Sequence, residues 1–283
     1  GTQLSSNTAN SATASTNAGT FGNSRDSSSI WSRREPRLGR VEGMSPVSRP
    51  ELQPGSRLVI VRHGEAVSNA EDTLGGHLTC KGLTKHGRRQ VEALANRLER
   101  TGEMKGAVAL YSSVLARAVE TAEILTPALG NLPVRQTCDL CERHVGEADG
   151  MTWTEYEARY GALKPGDAPE REMAPGGESW IGFLDRAEAA LYAVMARHPG
   201  ELVVIAGHGG IVGTSMVRFL ELPSHGSHLR GHPDNSSITE WSWTGSRWWL
   251  VRYNDAAHLD DETWGATERL RIPPPGWVGL DPE

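Results

Sequence analysis

Arg62-His63-Gly64-Glu65 comes directly after four apolar β-formers, Leu58-Val59-Ile60-Val61. An imidazole at the end of a buried strand is held on rigid backbone yet open to a ligand. The adjoining guanidinium offers a forked positive charge suited to phosphate. The glycine lets the chain turn and a ligand approach closely. A second unit of the same kind, Leu202-Val203-Val204-Ile205-Ala206-Gly207-His208-Gly209-Gly210, comes much later. Between them Ser112-Ser113 succeeds a third apolar run and leads to Arg117. Two histidines and an arginine at strand ends suggest one anion site, and each of the three loops offers a group able to hold or attack a phosphate.

The elements that must position these groups alternate. Strand signals cover 58–61, 107–111, 202–206, 237–243 and 248–253; helical spacing covers 83–100, 114–129, 152–160, 178–198 and 210–220. Interleaving of this kind predicts an α/β fold, a three-layer α/β/α sandwich around a mostly parallel sheet. The final hairpin forms an antiparallel edge. Ligands bind outside the carboxyl ends of the strands in such sheets. The expected domain runs over 56–265. Residues 1–55, whose first thirty are dominated by Ser, Thr, Asn and Gly, read as a disordered tail or leader, with Met44 as a candidate natural start. Residues 266–283, which contain Pro273-Pro274-Pro275, read as an irregular tail.

Composition narrows the function classes. The chain has 283 residues, 37% hydrophobic and 23% charged, with a formal net charge of −6. This is an ordinary globular balance, without the basic stripe of a nucleic-acid binder. No run approaches the roughly 20 apolar residues of a membrane span, and no signal-peptide pattern is visible. Neither nucleic acid nor membrane is expected as a partner. Three cysteines, Cys80, Cys138 and Cys141, do not make a disulfide framework, so a reduced, cytoplasmic protein is expected. Cys138-x-x-Cys141, with His144 close behind, has the look of a zinc or redox motif. A structural zinc site needs four ligands and there is no second Cys pair, so no metal is expected. His225, His228 and His232 read as a solvated loop or as an edge of the substrate pocket. Oligomeric state is open, a homo-oligomer included.

The motifs taken in order resemble the histidine phosphatase superfamily, also called the phosphoglycerate-mutase-like family. The matching pieces are Arg62-His63-Gly64-Glu65 with Asn69, Leu83-Thr84-x-x-Gly87-x-x-Gln90, and Ser112-Ser113-x-Leu115-x-Arg117-Ala118-x-Glu120-Thr121-Ala122. Leu140-x-Glu142-x-x-x-Gly146, Pro175-Gly176-Gly177-Glu178-Ser179, Gly207-His208-Gly209-Gly210, Asn235-Ser236-Ser237-Ile238 and Asn254-Asp255-x-x-His258-Leu259 complete the series, over roughly 57–260.

The resemblance implies a residue-by-residue assignment. His63 is the nucleophile that carries the phosphoryl group, its other ring nitrogen tied to a backbone carbonyl. Arg62, Arg117 and His208 surround the phosphate oxygens. Glu142 is general acid, then general base. Asn69 and the backbone amides near Gly75, Gly76 and Gly209 complete phosphate or substrate contacts. Glu65 is expected to partner the site arginines rather than act in proton transfer. Read singly, His63 is as good a core histidine, Arg117 a surface partner of Glu120, and Glu142 one carboxylate of a solvated acidic stretch with Glu147, Asp149 and Glu157.

Two departures separate phosphatase from mutase. Trp153 stands where a mutase of this family carries a substrate-binding lysine, and the basic insertion before Pro175-Gly176-Gly177 is missing. Fewer cations favour release and hydrolysis. The expected activity is therefore a metal-independent phosphomonoester hydrolase acting on a small phosphorylated metabolite, with no cofactor. The alternatives are a cofactor-dependent phosphoglycerate mutase and a non-catalytic phosphate-binding or scaffold member.

Overall fold

Leu58–Val61 is apolar at every position because the strand it forms is covered on both faces. The computed structural model describes residues 49–162, 168–223 and 232–259. The leader up to residue 48 with Met44, the loop carrying His225 and His228, and the tail 266–283 lie outside the described residues.

Six strands form one sheet: β1 (Arg57–Arg62), β2 (Ala107–Ser112), β3 (Val134–Gln136), β4 (Leu202–Gly207), β5 (Ile238–Trp243) and β6 (Trp248–Asp255), in the order β3-β2-β4-β1-β5-β6. The pairs β1–β4, β2–β4 and β2–β3 are parallel, whereas β1–β5 and β5–β6 are antiparallel. The expected mostly parallel sheet with an antiparallel edge is thus the observed one. β3 has only three residues, too few for periodicity to register, so it leaves no strand signal in the sequence.

The helices are α1 (Val67–Ala70), α2 (Lys85–Thr101), α3 (Ala116–Leu125), α4 (Trp153–Tyr160), α5 (Trp180–Ala196) and α6 (Gly209–Phe219). The single helix expected over 114–129 is broken: α3 gives way to a 3-10 turn at Pro127–Leu129, because Pro127 has no N–H to continue the ladder.

Alternate residues of the buried strands enter opposite cores. Leu58, Ile60, Ala109, Tyr111, Val203 and Ile205 pack with Phe183, Leu191, Ile211 and Phe219 of α5 and α6. Val59, Val61, Leu110, Val204 and Ala206 pack with Val91, Leu94, Leu98 and Leu125 of α2 and α3. This is the helix–sheet–helix sandwich. Trp241 is fully buried in the first core and Trp248 stacks on Phe219 at 4.5 Å between ring centroids. Trp249 is exposed.

Residues upstream of 56 also pack on the sheet and helices. Leu52 is buried, its carbonyl accepts a hydrogen bond from Trp243 Nε1 at 3.0 Å, and Arg49 pairs with the buried Glu188 at 2.7 Å. One apolar residue and one cation in a proline-containing stretch give no periodic signal, which is why this anchoring escapes the sequence. No helix among the described residues is long and apolar enough to cross a membrane.

For function the register matters most. Arg62 pairs with Gly207 and Ser112 with Ala206, so β1, β2 and β4 end level with one another. The loops that leave those ends begin with His63, Ser113 and His208.

Candidate active site

The level strand ends bring His63 and His208 together, ring centroids 5.3 Å apart and inclined at 64°. Both are buried. Burial holds the His63 imidazole well below its usual pKa, and the guanidinium groups of Arg117 and Arg62 push it further the same way. His208 is held low by burial first, then by Arg117, His63 and Arg62. Arg62 in turn is pushed down by burial and pulled up by Glu142 and Asp234. Arg62, His63, Arg117, Glu142 and His208, from four separate segments of the chain, therefore share one neighbourhood.

His63 is fixed from several directions. Its N–H donates to Gly207 O at 2.9 Å, and its carbonyl accepts from Asn235 Nδ2 at 3.0 Å and Ser236 N at 3.2 Å. Nδ1 lies 2.7 Å from Gly64 O. A carbonyl can only accept, so Nδ1 carries the proton and the neutral ring keeps its lone pair on Nε2. The next loop is locked by α2. Glu65 N donates to Gln90 Oε1 at 2.8 Å, and Thr84, the N-cap of α2, donates from Oγ1 to Glu65 Oε1 at 2.7 Å. A Cβ on Gly87 would stand 2.1 Å from Glu65 O, so only glycine lets the helix come this close. Glu65 is thus bound to Thr84, and the expected pairing with the site arginines is replaced by this bond.

His208 Nε2 is 2.7 Å from Ser113 Oγ, which also accepts from Leu115 N at 3.2 Å. The direction of the Ser113–His208 bond follows the His208 tautomer: where the hydroxyl donates to Nε2, the ring proton sits on Nδ1. His208 Nδ1 and Arg62 Nε are both buried with no hydrogen-bond partner among the described residues. A buried polar nitrogen without a partner costs about 1–3 kcal/mol, and for the Arg62 donor a bound anion would offset that cost. Arg117, also buried, is aimed by Gly75 O, which accepts from Nη1 at 2.8 Å.

Glu142 is half-buried at the N-terminus of α6. Its Oε2 accepts from Gly210 N at 2.9 Å and its Oε1 from Arg143 N at 3.0 Å. A Cβ on Gly210 would stand 2.0 Å from Glu142 Oε1, which explains the second glycine of the His208 loop. The backbone that presents Glu142 hangs on Arg186. That guanidinium forks onto Glu178 at 2.6 and 2.7 Å and donates to Asp139 O at 2.7 Å, Cys141 O at 3.2 Å and Glu142 O at 3.3 Å. Arg186 supports the Glu142 loop and Ser113 bonds His208; the sequence presents Ser113 as a loop residue after a strand and does not single out Arg186. The only signal for Arg186 is its position two helical turns after Glu178, on α5.

The remaining expected contacts are mixed. Asn69 is exposed and its Oδ1 accepts from Ala66 N at 3.0 Å, closing the N-terminus of α1. The Gly75 carbonyl holds Arg117, while the Gly76 N–H donates to Asp149 Oδ1 at 2.9 Å rather than facing a free site. Gly209 opens α6, where amides have no intrahelical acceptor. A separate group of metal-ligand side chains, His77, Cys138, Cys141 and His144, lies on the flank of the Glu142 loop.

Two consequences are measurable. Arg186→Ala leaves several loop carbonyls and Glu178 without their cation; urea denaturation is expected to show a loss of about 2–3 kcal/mol. A loss under about 0.5 kcal/mol contradicts the role given to Arg186. The low pKa values of His63 and His208 also set the pH dependence of folding. An unfolded histidine titrates near pH ~6.5. Below that pH the unfolded chain binds protons that the folded chain refuses, so stability is full above about 6.5 and falls as pH drops toward the folded values. The slope approaches about 1.4 kcal/mol per pH unit for each histidine. Chemical denaturation at a series of pH values measures it, and stability that rises on acidification contradicts neutral burial.

The sequence carries the same identity. Residues 58–256 match the family model of the histidine phosphatase superfamily, branch 1. The chain is 32% identical over 212 residues to the metal-independent phosphoserine phosphatase of Arabidopsis thaliana, covering 72% of this chain and 83% of that one. It is 31% identical over 210 residues to phosphoglycerate mutase-like protein 4 of the same plant, covering 73% and 88%. Among solved structures, a mycobacterial glucosyl-3-phosphoglycerate phosphatase in complex with VO3 matches with a TM-score of 0.58 and 30% identity, over 70% of this chain and 99% of that one. The chain belongs to the histidine phosphatase superfamily, branch 1, and is an enzyme of the phosphatase type.

Proposed function

We propose that the protein hydrolyses a small phosphorylated metabolite, a phosphomonoester with an alkoxide leaving group, through a phosphohistidine on His63. The observation that carries this reading is a neutral imidazole of fixed tautomer beside Arg62, Arg117 and His208, with buried nitrogens on Arg62 and His208 that lack partners among the described residues.

In the first step the Nε2 lone pair of His63 attacks phosphorus in line with the ester bond. The P–O bond breaks, and protonated Glu142 gives its proton to the departing alkoxide. In the second step water attacks phosphorus, Glu142 takes the water proton, and the P–N bond returns its electron pair to His63. Arg62, Arg117 and the His208 Nδ1–H stabilise the three equatorial oxygens in both transition states. Arginine supplies the positive charge, so the reading assigns no metal ion to the chemistry.

Water is favoured as acceptor over a phosphoglycerate. Trp153, at the position where the resemblance calls for a lysine in mutases, lies edge-on to Tyr156 at 6.0 Å and packs on the apolar group Leu74, Ala148, Tyr156, Met173 and Ala174. It offers no charge to a second phosphate. Three free cysteines fit a reducing, cytoplasmic setting.

The test is hydrolysis of p-nitrophenyl phosphate, phosphoserine, glucosyl-3-phosphoglycerate and 3-phosphoglycerate without added divalent metal. Phosphate release unaffected by magnesium is expected. Conversion of 3-phosphoglycerate to 2-phosphoglycerate, primed by a trace of bisphosphate and faster than phosphate release, would make the enzyme a mutase instead.

A further inference from the structure

Cys138 and Cys141 lie on one 3-10 turn, Cys138–Leu140, closed by the Cys141 N–H to Cys138 O bond at 2.9 Å. The turn points both sulfurs the same way, with Sγ atoms 3.2 Å apart. His144, three residues further on, puts Nε2 3.6 Å from Cys138 Sγ. The fourth side chain comes from a distant loop: His77 Nε2 is 3.2 Å from Cys138 Sγ and 3.6 Å from Cys141 Sγ. All four ligand atoms lie within 4.8 Å of one another. Zn–S bonds of about 2.3 Å and Zn–N bonds of about 2.0 Å give a tetrahedron with edges of about 3.3–3.8 Å. The four edges given above, 3.2–3.6 Å, are close to that figure, and the two others, from His144 to Cys141 and to His77, stay within 4.8 Å. The sequence shows no second Cys pair and so no fourth ligand; the fold supplies it.

We propose that His77, Cys138, Cys141 and His144 form a Cys2His2 structural site for zinc, clamping the loop after α1 to the loop that presents Glu142.

The surroundings suit this role. Asp149 brackets His77 by accepting from Gly76 N at 2.9 Å and Leu78 N at 2.7 Å. His144 turns Nδ1 toward Glu178 Oε2, 3.9 Å away, so the ring nitrogen opposite the sulfurs faces a carboxylate, the usual outer partner of a zinc-bound histidine. Two thiolates balance the ion, and thiolate with imidazole selects zinc over magnesium or calcium. His77 is exposed, leaving a route for the ion from solvent. Four protein ligands leave no open position, so this zinc takes no part in phosphoryl transfer. Its effect is mechanical. One clamped loop carries Gly75, which aims Arg117, and the other carries Glu142.

The experiment uses the full chain, produced with zinc in the medium and purified under inert gas with neither thiol reductant nor chelator. Metal analysis is expected to find about one zinc per chain, and less than about a tenth of that in Cys138→Ser/Cys141→Ser. Cobalt(II) exchanged into the wild type is expected to give the intense visible bands of a tetrahedral ion and a thiolate charge-transfer band, a readout that needs no variant to fold. His77→Cys retains the metal, whereas His77→Ala weakens binding at least roughly tenfold. Wild-type zinc content in the double-cysteine variant, a weak octahedral cobalt spectrum, or a Cys138–Cys141 disulfide in the freshly purified wild type overturns the proposal. Hydrolysis of p-nitrophenyl phosphate is read separately, so loss of one claim leaves the other standing.

Discussion

His63→Ala is expected to lower hydrolysis of any phosphomonoester by roughly 10⁴-fold or more, equivalent to about 5.5 kcal/mol of transition-state stabilisation. The substitution removes the atom that bonds to phosphorus, and nothing else in the neighbourhood replaces it. Arg62 and Arg117 hold charge but no lone pair, and the Nε2 of His208 is engaged with Ser113. Stability is a separate matter. The Nδ1–H of His63 bonds only to the carbonyl of the next residue, so its loss costs the fold no more than about 2 kcal/mol. Steady-state kinetics beside thermal unfolding checks both halves. A variant that keeps more than about 1% of the rate leaves His63 without its role.

Glu142→Gln is expected to separate substrates by leaving group. For an alkyl phosphate the departing oxygen needs a proton, and the rate falls about 10²–10⁴-fold. For p-nitrophenyl phosphate the phenolate leaves unaided, so the first step slows little. The second step still needs a base to activate water. The variant should therefore release a burst of p-nitrophenolate equal to the enzyme present, then turn over slowly. The isosteric amide can keep the bond from Gly210 N while losing the exchangeable proton. Equal loss for both substrates, with no burst, moves the acid–base role away from Glu142.

The parts of this molecule legible in the sequence are those built on continuous apolar strands. Leu58–Val61 and Leu202–Ala206 announce buried parallel strands, and chain continuity carries His63 and His208 to the ends of those strands. Both histidines can therefore be placed at a sheet edge from spacing alone. The level ending of β1, β2 and β4 that brings them together is a matter of register, which no local pattern encodes. Glu142 and Gly75 stand on irregular loops, one held where Arg186 donates to Asp139 O and Cys141 O, the other where the Asp149 carboxylate accepts from Leu78 N, contacts with no sequence periodicity. Hence the role of Arg186 is not legible in the sequence. The amide of Gly76 reads there as a ligand contact although Asp149 holds it, and Glu65 reads as a partner of arginine although Thr84 binds it. His77 shows the same limit. It lies about sixty residues from the cysteine pair, and only the folded loops make it a neighbour of that pair.

The most direct measurement is an alkaline rapid quench during the first turnover of p-nitrophenyl phosphate, with peptide mapping of the protein. A phosphoryl group on His63, stable in base, labile in acid and formed no later than inorganic phosphate appears, is the predicted result. Phosphate release that accounts for all substrate consumed from the earliest times, with no protein-bound phosphoryl or with the group on another residue, contradicts it.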